Sequence, residues 1–171
     1  MRHLFTVTLL VVLPVAPTVA QEAPDSLVVE VADLEGRPVG VAILVDGAAG
    51  ILVRADLRGL PVGEHAVHLH ETGVCEPPFD SAGGHLDTAG AAHGILSPGG
   101  MHTGDLPNFH VSAEGKARFD AFLPGVRLRE GSPALLDRDG SALVVHALPD
   151  DYRSDPAGDA GTRIACGRIA G

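Results

Sequence analysis

From residue 26 onward the chain is a succession of short segments in which apolar and polar residues alternate, or in which Val, Ile and Leu crowd together. Gly, Pro, Asp or Asn separates one from the next. Successive side chains on a strand point to opposite faces, so segments of this kind predict strands. Eight are expected, at 26–32, 39–45, 49–57, 64–70, 109–113, 117–122, 142–146 and 163–169. No long run with helical periodicity competes with them, and 22 Gly and 13 Pro supply turns. The pattern predicts an all-β protein, an antiparallel sandwich or barrel. Two connections are longer than a turn requires, 71–107 and 148–162, and such loops in a compact domain are functional or disordered. The first holds Cys75, His85, His93, His102 and Asp105, a density of ligand-type side chains for which a disordered linker has no use.

The amino end has a different character. Met1, Arg2 and His3 precede an apolar run, 4–15, which Pro14 interrupts, and the small-residue stretch Thr18-Val19-Ala20 follows. That arrangement reads as a secretory leader over 1–20, leaving one domain over 21–171. As a membrane anchor the run is too short to span a bilayer, and no Cys follows it for lipid attachment. A periplasmic or secreted location is expected, with no stable membrane anchor. The formal charge of −10 becomes one unit more negative when Arg2 leaves with the leader, and such a balance repels nucleic acid and anionic membranes. Export also carries Cys75 and Cys166 into an oxidising space, where a pair of this kind reads as a disulfide. It would close a loop of about ninety residues and stabilise the fold by about 4 kcal/mol.

Composition says little about chemistry until the nine histidines are placed. In the stretch His65-Ala66-Val67-His68-Leu69-His70, a strand turns His68 and His70 to one face and Val67 and Leu69 to the other. By themselves they fit a half-buried strand with a polar outer face as well as a ligand pair. Adding His85, His93, His102 and Asp105 from the loop and His146 from the strand Leu143-Val144-Val145-His146 gives six histidines and a carboxylate, more than one tetrahedral site accepts. Two neighbouring metals would use all of them. His93, His102 and Asp105 suit zinc held in a glycine-rich loop, whereas His68, His70 and His146 stand on strands, which hold the fixed geometry a redox metal needs. His85 lies between the groups and has two ring nitrogens to offer.

The joint order and spacing of these residues resembles the copper/zinc superoxide dismutases of the secreted bacterial type, over about 29–169. The resemblance rests on His65 to Glu71, Cys75, Ser81-Ala82-Gly83-Gly84-His85, His93-Gly94, Met101 to Asn108, Leu143 to His146, Asp150-Asp151 and Ala160 to Gly167. It implies an eight-stranded Greek-key barrel, an immunoglobulin-like sandwich with two long functional loops. It implies copper on His68, His70, His85 and His146, and zinc on His85, His93, His102 and Asp105, with His85 as a shared imidazolate that takes part in turnover. Arg163 matches the arginine that positions superoxide beside copper, and Asp150 the carboxylate that links His68 to His93. His65 is expected to be structural, His110 exposed, and His3 lost with the leader.

The chain departs from the family pattern in having Leu86-Asp87-Thr88 after the bridging histidine. It also has one lysine, Lys116, only Arg153 as a cation within 148–162, and no Trp, so steering of superoxide is expected to be weak. A homodimer stays open as a partner. Two rival readings are a secreted copper/zinc buffering protein without turnover, which gives Arg163 no purpose, and a β-sandwich interaction domain with incidental histidines. A metallohydrolase lacks an evident general base beside an open zinc position.

Overall fold

The computed structural model describes residues 25–131 and 133–171; the expected leader, with His3, lies outside the described residues. Alternation becomes strands β1 (Ser26–Asp33), β2 (Pro38–Gly47), β3 (Gly50–Arg58), β4 (Gly63–His65), β5 (Val67–His70), β6 (Phe109–Val111), β7 (Lys116–Pro124), β8 (Ser141–His146) and β9 (Arg163–Ile169). All eight expected segments form strands, but the fourth is divided. His65 pairs with Phe109 on β6 and Val67 with Val145 on β8. Between them Ala66 donates its N–H to Leu148 O and accepts from His146 N. The chain changes partner at Ala66, an event that an alternating pattern does not mark.

Seven strands form one antiparallel sheet in the order β5-β8-β9-β1-β2-β3-β7, and β4 and β6 form a two-stranded ribbon. Because β4 runs on into β5 and β6 turns back into β7, the ribbon joins the two edges of the large sheet and the whole curls into a barrel. The C-terminal strand β9 inserts between β8 and β1. Inward-facing residues such as Val31, Leu44, Val53, Leu57, Leu69 and Leu143 are fully buried, the strong hydrophobic term that holds the barrel closed. A third long connection lies between β7 and β8: its Val126, Leu128 and Leu135 are buried in the core, Leu135 N–H donates to Arg127 O, and Arg127 N–H donates to Pro133 O. These three side chains pack a mostly polar connection against the barrel core.

Strands β5 and β8 are buried on both faces. Val67, Leu69, Leu143 and Val145 face the main core, whereas Ala142 and Val144 pack with Phe79, Ala82 and Cys166 beneath the 71–107 loop. The loop is laid along the free edge of β5. Leu69 donates its N–H to Gly104 O and accepts from Leu86 N, and Glu71 N–H donates to Gly84 O. A side chain at Gly104 would overlap Leu69 O, so only glycine lets the loop come this close. The disulfide Cys75–Cys166, with Cα atoms 5.7 Å apart, fastens the same loop to β9. His110 is exposed and meets Glu64 at 2.9 Å. Among the described residues no helix is long and apolar enough to cross a membrane.

Candidate metal centre

The covering of β5 by a loop places six histidines and two aspartates in one buried region. His68 and His70 come from β5 and His146 from the end of β8, directly opposite Arg163 on β9. His85, His93, His102 and Asp105 come from the 71–107 loop, and Asp150 from the 148–162 loop. Every histidine of this set and both aspartates are buried. Their ligand atoms fall into two four-residue groups, His68/His70/His85/His146 and His85/His93/His102/Asp105, and a three-residue group, His68/His93/Asp150, within each of which all atoms lie no more than 4.8 Å apart.

In the first group each ring has one nitrogen engaged and one free. His70 Nδ1 donates to Gly83 O at 3.0 Å, His146 Nδ1 faces Gly161 O at 3.4 Å, and His68 Nε2 donates to Asp150 Oδ2 at 3.0 Å. These contacts assign the protons and leave His68 Nδ1, His70 Nε2 and His146 Nε2 as lone pairs. Those three atoms and His85 Nε2 have no hydrogen-bond partner although buried. Orphaned buried polar atoms are rare and costly, and here four converge on one point. The only other orphan among the described residues, Asp46 Oδ1, faces Arg127 Nε at 2.8 Å. Burial pushes His70 down to about 2, His85 to about 4 and His146 to about 3, so the rings are neutral at physiological pH, the form that binds metal.

The second group is organised by Asp105. Its Oδ1 lies 2.9 Å from His85 Nδ1, 3.1 Å from His93 Nδ1 and 3.3 Å from His102 Nδ1, and the last is 3.4 Å from His85 Nδ1. A tetrahedral zinc with ligands at about 2.0–2.1 Å has an edge of about 3.3 Å, so these atoms already stand near the corners of such a site. Asp105 Oδ2 accepts the N–H groups of Gly94 and His102. Burial alone would raise the Asp105 carboxyl, but the bonds from His85 and Gly94 and the neighbouring histidines outweigh it and hold the group well below the usual carboxylate range. His85 belongs to both groups, Nε2 to one and Nδ1 to the other.

Asp150 ties the groups together from outside. Its oxygens lie 3.0 and 3.1 Å from His93 Nε2 as well as bonding His68. Against burial, these bonds and the Tyr152 N–H lower it to about 2. A Cβ on Gly158 would overlap both Asp150 and His93. The loops are also clamped directly: Asn108 exchanges two bonds with the Asp150 backbone, Tyr152 Oη accepts from Asn108 N, and His93 N donates to Asp155.

An open cavity of about 350 Å³ leads to the first group, lined by His85, His102, His146, Gly161 and Arg163. Arg163 is pinned at its mouth, Nη1 to Phe79 O at 2.6 Å and Nη2 to Gly83 O at 2.7 Å. Burial lowers its pKa and Asp80 opposes this; a guanidinium stays charged regardless. Gly83 O therefore serves both Arg163 and His70. Sequence reasoning missed this anchor, because carbonyl acceptors leave no mark on residue identity. His65 is buried but takes no part, both ring nitrogens meeting carbonyls, His146 O and Pro61 O, at 2.8 Å.

Comparison with known proteins accords with this geometry. The profile of the copper/zinc superoxide dismutase family (SODC) matches residues 39–169. A superoxide dismutase [Cu-Zn] of Aquifex aeolicus is 46% identical over 143 residues, covering 82% of this chain and 84% of the relative. One from Caulobacter vibrioides is 45% identical, covering 79% and 80%. Among solved structures, a SOD-like protein from Bacillus subtilis superposes with a TM-score of 0.79 at 36% identity, covering 83% of this chain and 97% of its own. The Cu/Zn superoxide dismutase of Brucella abortus gives 0.69 at 27% identity, covering 85% and 99%. With this agreement of sequence and fold, the chain belongs to the copper/zinc superoxide dismutase family.

Proposed function

We propose that this chain is an exported superoxide dismutase in which His68, His70, His85 and His146 hold copper and His85, His93, His102 and Asp105 hold zinc. The carrying observation is the set of four orphaned, buried nitrogens converging beside a second group that shares His85. Copper, when bound, supplies the electron chemistry: one superoxide gives up an electron and leaves as dioxygen, and a second gains one, takes two protons and leaves as hydrogen peroxide.

The protein's residues supply the rest. Arg163, held by two carbonyls, presents a fixed positive charge at the cavity mouth and orients the anion by guanidinium hydrogen bonds. His85 Nε2 is the atom at which the chain holds and hands over a proton, since its ring stands between the two groups. Asp150 fixes the tautomers of His68 and His93 together. Asp105, His93 and His102 would hold zinc and so tie down the loop that carries His85. A buffering protein would need the ligands but gives no reason for a pinned arginine beside them. The leader-like residues 1–20 and the disulfide support a periplasmic or secreted location.

The test is reconstitution of purified protein with both metals, followed by elemental analysis and direct measurement of superoxide decay. About one copper and one zinc per chain with fast decay is expected. Full loading without turnover would favour buffering. Arg163→Glu should lower the rate steeply at matched copper content, with Arg163→Lys retaining part of it.

A further inference from the structure

Arg163 is held by the two ends of one short segment, and a charge inside that segment opposes it. Phe79 O and Gly83 O accept from its guanidinium, and between them lies the 3-10 turn Asp80–Ala82. Asp80 is exposed, and among the described residues its carboxylate accepts no hydrogen bond and makes no ion pair. Glu71, which also packs against this segment, has by contrast a structural task, its Oε1 accepting the Gly84 N–H at 2.9 Å. Asp80 and Arg163 line one hollow of about 410 Å³ with Leu34, Pro78, Gly161 and Thr162. That hollow adjoins the metal cavity, because Gly161 and Arg163 line both. Apart from the histidines, Arg163 is the one ionisable side chain in the wall of the metal cavity. Asp80 therefore subtracts from the potential that Arg163 offers an incoming anion.

A carboxylate in that position does more than weaken binding. An arginine fork by itself favours dianions such as sulfate and phosphate, whose oxygens take two parallel hydrogen bonds and whose charge doubles the attraction. Superoxide carries one charge. The repulsion from a nearby carboxylate is proportional to the charge of the anion it acts on, so it opposes a dianion twice as strongly as a monoanion. Asp80 thus penalises competitors more than substrate, and it has no other bond in which its charge is used.

We infer that Asp80 is a specificity-determining residue, its carboxylate biasing the anion site at Arg163 towards monoanions and against dianions. The inference rests on the reading of Arg163 as the anion-binding residue. The test uses mature protein loaded with zinc and with copper kept as Cu(I), which is diamagnetic, and follows the side-chain NMR signal of Arg163 during titration with chloride and with sulfate at matched, low ionic strength. D80N should tighten chloride by about two- to five-fold and sulfate by the square of that factor, about four- to twenty-five-fold. D80E should bind both anions as wild type does. Superoxide decay at matched copper content should be faster in D80N than in wild type, a gain that a misfolded variant could not show, and sulfate should inhibit D80N at lower concentration. Chloride and sulfate tightened by the same factor, or binding and decay unchanged in D80N, would overturn the inference alone. An Arg163 signal that neither anion moves in either protein would overturn the reading of the arginine, and the inference with it.

Discussion

The two halves of the metal centre rest on different supports. His68, His70 and His146 stand on β5 and β8, where ladder hydrogen bonds and a core on both faces fix the backbone. Their ligand nitrogens have no partner. His93, His102 and Asp105 stand in a long loop whose backbone is held by a handful of contacts, a disulfide and the neighbouring loop. Their ligand atoms nevertheless satisfy one another through Asp105. One half is rigid and chemically unsatisfied; the other is satisfied and lightly supported. Loss of a strand ligand should therefore remove activity with little loss of order, whereas loss of loop support should remove order first. His85 is the only residue common to both candidate groups, and Asp150 links them from outside.

The largest effect should come from breaking that common point. His85→Ala is expected to reduce dismutation to the metal-free background and to lower both copper and zinc content, whereas His146→Ala should lower copper and leave zinc bound. Elemental analysis with superoxide decay separates these outcomes. Next, Cys166→Ser should destabilise the protein by about 4 kcal/mol in denaturant unfolding. Hydrogen exchange should then show protection lost in 71–107 before β5 and β8.

Acid sharpens the comparison from the strand side. The metal-free rings of His70, His85 and His146 have folded-state pKa values depressed from 6.5 to between about 2 and 4. Unfolded chains therefore take up protons that folded ones refuse, and stability rises with pH through this window. The metal-free protein should lose stability steadily as pH falls below 6.5. A thermal unfolding series at several pH values measures it, and bound metal should suppress the loss until it is released.

A smaller effect is expected outside the ligand sets. Asp150→Asn puts an amide where a carboxylate accepts from His68 and His93, and should weaken both metals by about 10–100-fold in competition with a chelator. A change in only one metal would show that the aspartate supports one half alone. Smallest of all, His110→Ala removes an exposed pair with Glu64 and should change stability by less than about 1 kcal/mol, with metal content unaltered.

Much of this architecture is legible in the sequence, because two-residue alternation survives wherever a strand has one face in the core. The strands with one solvated face form for that reason, whereas β8, buried on both faces, is legible instead from its run of Leu and Val. The division at Ala66 is hidden because His65 through His70 are buried without a break and no Gly or Pro marks the change of partner. The connection between β7 and β8 is not legible because its buried Val126, Leu128 and Leu135 are too few and too irregular to show a period. Ligand residues are legible as types at spacings, but their supports are not. Gly83 O holds both Arg163 and His70, and Gly104 is required by the approach of Leu69 O, and neither contact depends on a side chain that could be read.

The two candidate groups join only if His85 serves two metals through one ring. With cobalt(II) placed in the zinc group and copper(II) in the other, a shared imidazolate should couple the two ions magnetically. The copper electron paramagnetic resonance signal should then largely vanish, and reappear when zinc replaces cobalt. An undiminished copper signal at full occupancy of both groups would contradict the shared ring, and with it the joining of the two halves.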